Sequence, residues 1–68
     1  MIITFIQDST IVAQDTADSM PYACTYKKGE TEYIDILNEQ AGTIHVQFDD
    51  GSIGWIKLRH ITIELIEE

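Results

Sequence analysis

Basic residues are scarce in this 68-residue chain: 4 lysines and arginines stand against 12 acidic residues, a formal net charge of −8. With so few cations there is no basic patch for phosphates, so neither direct nucleic-acid binding nor docking on anionic lipid is expected. Cysteine is rarer still. The single Cys24 can close no disulfide within the chain and build no cysteine-based zinc site. Proline occurs once, at Pro21, where its missing N–H argues against a central strand position. Long apolar runs are absent too. The opening Ile2-Ile3-Thr4-Phe5-Ile6 is short, lacks a basic leader and meets Asp8, so it reads as neither a signal peptide nor a membrane span. A reduced thiol without an export signal makes the cytoplasm the expected location, with no membrane partner.

What is present is enough for one small domain over residues 1–68. A chain of this size buries only ~60% of its unfolded surface, so each apolar strand face is needed for the core. The apolar share of 44% is that of a folded chain. The acidic excess favours a basic protein partner through electrostatic steering. It equally serves plain solubility, and it favours a monomer.

Along the chain, β-branched and aromatic residues at 2–6 and again at 10–13 read as strands, with Asp8-Ser9 as the turn between them. The polar stretch Gln14 to Pro21 reads as an exposed loop. Tyr22, Cys24 and Tyr26 alternate onto one face, and Lys27-Lys28-Gly29-Glu30 turns with Gly29 free to take positive φ. Residues 32–41 fit two patterns: Ile34 and Ile36 alternate as in a strand, while Tyr33, Leu37 and Ala41 keep a helical spacing. Strand is expected there, followed by a loop from Asn38 to Gly42. Next, Ile44, Val46 and Phe48 face one side of a strand and His45, Gln47 and Asp49 the other. Asp50-Gly51 supplies a two-residue turn with positive φ at both positions. Gly54 in the returning strand marks a bend or a close backbone approach. Leu58-Arg59-His60 forms a short 3-10 turn, Ile61, Ile63 and Leu65 alternate in a last strand, and 66–68 fray. Five to seven short strands joined by tight turns describe a small all-β barrel.

The order of these features resembles an SH3 domain. Lys27-Lys28-Gly29-Glu30 is similar to the family's "KKGD/E" after the long RT loop, and Asp50-Gly51-Ser52-Ile53-Gly54-Trp55-Ile56 to its "DGxxGYIP/GWIP" at the distal turn. Leu58 to Ile61 sits where the family has its 3-10 turn, and Val12 to Thr16 where it has "ALYDY". The resemblance covers roughly residues 12–65. It implies a five-to-six-stranded SH3-like barrel, with residues 1–9 as an extra strand on its edge and Asp15 and Asp18 as RT-loop acids. The aromatic ladder that reads polyproline is missing: the two "ALYDY" tyrosines are Gln14 and Thr16, the ligand-contacting tryptophan is Thr43, the proline is Lys57 and the final tyrosine is His60. Binding of a PxxP ligand is therefore not expected.

No residue pattern specifies a reaction, a metal or a cofactor. His45 and Asp49 share a strand face but stand about 13 Å apart along it, too far to ligate one ion. Cys24 alternates toward the core, where a free thiol is a small inert hydrophobe. Trp55 is the leading interaction candidate, facing away from Ile56 and the core, with Ile53 beside it. It either anchors a partner or lies over a neighbouring strand to finish a thin core. The expected function is a non-catalytic protein-interaction module or accessory protein, of the sort bacteria and phages encode. Its contact surface is expected to combine Trp55 with Asp15, Asp18, Lys57 and His60. Two alternatives are an acidic inhibitor that mimics nucleic acid and a structural subunit of a larger enzyme complex. Dispersed carboxylates speak against the first.

Overall fold

The computed structural model describes residues 1–65. Seven strands follow in order: β1 (Ile2–Phe5), β2 (Ser9–Gln14), β3 (Tyr22–Tyr26), β4 (Thr31–Gln40), β5 (Thr43–Phe48), β6 (Ile53–Lys57) and β7 (Ile61–Glu64), with a 3-10 turn at Leu58–His60 between the last two. They form one antiparallel sheet in the spatial order β3-β2-β6-β5-β4-β1-β7. Among the described residues β3 and β7 are its free edges, so the sheet does not close on itself. It does curl. A flat sheet is about 10 Å thick with its side chains, whereas this chain measures 31 × 28 × 24 Å along its principal axes.

Curling gathers the inward residues of every strand but β7's tail into one core. Ile3 and Phe5 of β1, Ile11 of β2, Tyr26 of β3, Ile34 of β4, Ile44, Val46 and Phe48 of β5, Ile56 of β6 and Ile61 of β7 are buried together. Period-two alternation set these residues on one face. Phe5 and Tyr26 stack across the core with ring centroids 4.4 Å apart and nearly parallel planes, a contact that fastens the β2–β3 hairpin onto β1.

The seven strands fall within the expected number, and the flanks of the 15–21 loop pair with each other, Ile11 opposite Cys24 and Ala13 opposite Tyr22, with β2 pairing in turn with β6. Two expectations change. The N-terminal strand is no edge addition: β1 lies between β4 and β7, with Ile3 opposite both Glu32 and Ile63. Its side chains Ile3 and Phe5 are among the most buried in the chain, which an edge position would not provide. Finally, the 38–42 loop is mostly strand. β4 runs to Gln40 and only Ala41 and Gly42 turn, both with positive φ.

The strand reading of 32–41 holds, and the competing helical spacing has a local cause. Ile36 pairs with Val46, but Asn38 pairs with His45, so Leu37 is an extra residue on β4. This β-bulge breaks the period of two after Ile36 and leaves Leu37 exposed, whereas Tyr33, ahead of the bulge, is exposed by ordinary alternation with buried Ile34. The proposed fraying of 66–68 lies outside the described residues.

Candidate functional site

The β5–β6 hairpin decides which face Trp55 occupies. Phe48 donates its N–H to the Ser52 carbonyl at 2.8 Å, and Gly51 donates to the Phe48 carbonyl at 3.0 Å. The connection is therefore a three-residue loop, Asp49-Asp50-Gly51, and of these only Gly51 has positive φ. This corrects the two-residue turn at Asp50-Gly51, and the extra residue matters. A two-residue turn would set Asp49 opposite Ser52 and inward Val46 opposite Trp55. The observed register sets Ile44 opposite Ile56, Val46 opposite Gly54 and His45 opposite Trp55. Because side chains alternate, that one step sends the indole to the outer face.

The loop is pinned by Asp50. Its carboxylate accepts the Ser52 hydroxyl at 2.6 Å and the Ser52 N–H at 2.9 Å, and these hydrogen bonds hold it below the usual carboxylate range. Gly54 has the close approach expected of it. A Cβ there would lie 2.8 Å from Phe48 Cε2 and 3.3 Å from the Val12 carbonyl oxygen, so the Phe48 ring packs directly on the glycine.

On the outer face, one row crosses four strands: Val12 of β2, Trp55 of β6, His45 of β5 and Asn38 of β4. The Trp55 and His45 rings stack with centroids 4.6 Å apart and planes 5° from parallel. The ring covering the indole is thus His45, a neighbour that a two-residue turn at Asp50-Gly51 would not bring opposite Trp55. His45 Nε2 is buried with no hydrogen-bond partner. Trp55 nevertheless keeps 37% of its surface exposed and Val12 50%. Val12, Gln14, Pro21 and Trp55 line a shallow, mainly apolar depression, and Asn38, Gln40, Thr43 and His45 line another on the far side of the indole.

The five candidate residues do not form one cluster. Trp55 is central. Lys57 is two residues on along β6, on the same face and exposed, beside Thr43. Asp15 and Asp18 lie in the loop after β2, and since Gln14 pairs with Ile53 that loop leaves from the opposite end of β6. The two ends are about 13 Å apart at strand rise. His60 is in the 3-10 turn, half-buried, with its carbonyl accepting the Ile6 N–H at 2.9 Å. The 15–21 loop is ordered by its own contacts. The Ser19 hydroxyl accepts the Thr16 N–H at 2.7 Å and Gln14 Nε2 donates to the Ser19 carbonyl at 2.8 Å, which carries Pro21 toward Trp55.

A second cleft opens on the inner side, between β3 and the β5–β6 loop, lined by Tyr22, Cys24, Tyr26, Glu32, Asp50 and their neighbours. Burial, then the nearby Glu32 carboxylate, pushes the Tyr26 hydroxyl well above its ordinary range. Partial burial and a 3.2 Å hydrogen bond to Asp15 do the same, more mildly, for Tyr22. Cys24 packs against the core as expected. Among the described residues no helix is long and apolar enough to cross a membrane.

No protein-family model, no curated protein and no solved structure matches this chain.

Proposed function

We propose that this chain is a non-catalytic protein-interaction module of SH3-like architecture that docks a larger protein partner on its outer sheet face around Trp55. The carrying observation is the indole itself: held flat by His45, more than a third exposed, and bordered by the Val12–Pro21 depression. A tryptophan already fixed in one orientation loses little entropy on binding, which is what an anchor residue requires. The order of features supports the SH3-like reading: a long hairpin with its tip at 15–21, the Lys27–Glu30 turn, the tight 49–51 loop and the 3-10 turn before the last strand. The partner is cationic, since the −8 charge steers basic surfaces toward the domain. It does not offer polyproline, because Gln14, Thr16, Thr43, Lys57 and His60 replace the ladder that would pack it.

The test compares tagged wild type with Trp55→Ala and Val12→Asp in affinity purification from the native cell, followed by titration of the captured partner. Both variants are expected to weaken binding by ~30-fold or more, the scale of a hot-spot loss, with thermal melts that still show a folded chain. Binding that ignores both substitutions but collapses with salt, in the manner of phosphate contacts, overturns the proposal in favour of a nucleic-acid mimic.

A further inference from the structure

The sheet's two edges differ in how they are guarded. Natural edge strands carry charge, proline or a bulge that discourages pairing with another chain. β7 carries Glu64. β3 is Tyr22-Ala23-Cys24-Thr25-Tyr26, five residues with no charge, proline or glycine among them, and every one favours or tolerates a strand. Among the described residues β3 pairs with β2 alone, and Tyr22, Ala23 and Thr25 are exposed.

We propose that β3 is a self-pairing edge, joining a second copy of this chain antiparallel about a two-fold axis at Cys24. Two features choose a second copy over another partner. First, the strand reads nearly the same in both directions from Cys24: Tyr22 stands opposite Tyr26 of the other copy, and the exposed Ala23 opposite the exposed Thr25. Tyr26 stays in its own core, stacked on Phe5, so backbone pairing holds the ladder and the near-palindrome keeps it free of mismatched side chains. A symmetric site on one surface patch is what a two-fold dimer needs. Second, the ends of β3 carry opposite charge. Lys27 and Lys28 follow it directly, while Asp15 and Asp18 lie in the loop that precedes it, both exposed. Antiparallel pairing brings the lysines of each copy to the acidic loop of the other, at both ends of the seam. Parallel pairing would set like beside like.

The global charge opposes this and the local charge supports it. At physiological ionic strength the Debye length is ~8 Å, so distant carboxylates are screened while the seam contacts are not. The seam is short, below the ~1,200 Å² of a stable interface, so the dimer is weak and depends on concentration. Its consequence is a continuous outer sheet face carrying two Trp55 sites, arranged for a partner with two copies of the same epitope.

Sedimentation velocity of the wild-type chain from about 10 μM to about 1 mM, a range spanning weak association, is expected to show mass rising from 7.7 kDa toward twice that value. With oxidised glutathione, a Cys24 thiolate displaces one glutathione and the Cys24 thiolate of the paired copy displaces the second. Two reduced glutathiones leave and a Cys24–Cys24 disulfide forms. Lys27→Glu with Lys28→Glu is expected to abolish both readouts at an unchanged melting temperature, and adding Asp15→Lys with Asp18→Lys is expected to restore them. A chain that stays monomeric at the highest concentration overturns the proposal. So does disulfide formation at equal rate in the Lys27→Glu, Lys28→Glu variant, which would report random collision. Dimerisation lost in Trp55→Ala but kept in the charge variant also overturns it, by moving the contact to the outer face.

Discussion

β5 is shared by two hairpins, and they turn in opposite styles. On the β5–β6 side, three residues turn, Gly51 takes the left-handed position at φ 91°, and the Asp50 side chain ties the loop to Ser52. On the β4–β5 side, two residues turn between Gln40 and Thr43, and the first of them is Ala41 at φ 52°. Only glycine, asparagine and aspartate enter that region readily. One hairpin has residues suited to its backbone, and the other holds an alanine in a conformation it disfavours. The β5–β6 hairpin also carries Trp55 and His45 on its outer face and Gly54 under Phe48 on its inner one. The proposed docking residue therefore stands on the better-determined of the two.

The largest effect should come from the inner face of the β5–β6 hairpin. Gly54→Val places carbon where Phe48 Cε2 would be 2.8 Å from the new Cβ, and Phe48 is buried. Overpacking of this kind should cost about 3 kcal/mol, read as a lower urea midpoint. An unchanged midpoint would mean that the Phe48 ring is free to move aside, and the hairpin would not be as rigid as the glycine contact implies.

The two turns should then answer paired substitutions with opposite signs. Gly51→Ala forces a side chain into positive φ and should cost about 1–2 kcal/mol. Ala41→Asn relieves the same strain and should gain about 0.5–1 kcal/mol. No heavy atom lies within 4 Å of the Cβ position at Gly51, so its loss would be conformational and not steric. If both changes destabilise, Ala41 is held by something other than its turn and the contrast between the hairpins fails.

Much of the fold is legible in the sequence. Ile44, Val46, Phe48 and Ile56 alternate, and alternation alone assigns them inward. The Leu58–His60 turn and the glycine constraint at Gly54 were equally plain. Loop length was not legible. Asp50-Gly51 is a strong two-residue signal, and nothing local says that Asp49 joins the turn. The clue was parity: Val46 and Ile56 both had to face inward, which a two-residue turn cannot arrange. Following that clue would have paired His45 with Trp55. The Leu37 bulge hid β4's end in the same way, since one inserted residue shifts the face of all that follow. The position of β1 was hidden for another reason, because its pairing with β4 and β7 is long-range and no adjacent residue encodes it.

The smallest effect sharpens the contrast through pH. The Ser52 hydroxyl and N–H hold the Asp50 carboxyl below the usual carboxylate range, while the turn at Ala41 and Gly42 has no ionisable side chain. A carboxylate depressed in the folded state adds stability that is fully present above its unfolded pKa and lost as pH falls through the folded one. The melting temperature of wild type minus that of Asp50→Asn should therefore be constant above about pH 5 and shrink toward zero in more acid solution. Ala41→Asn minus wild type should stay flat over the same range. A difference for Asp50→Asn that is also flat would mean that the Ser52 contacts do not depend on the charge, leaving Gly51 alone to set the geometry that turns Trp55 outward.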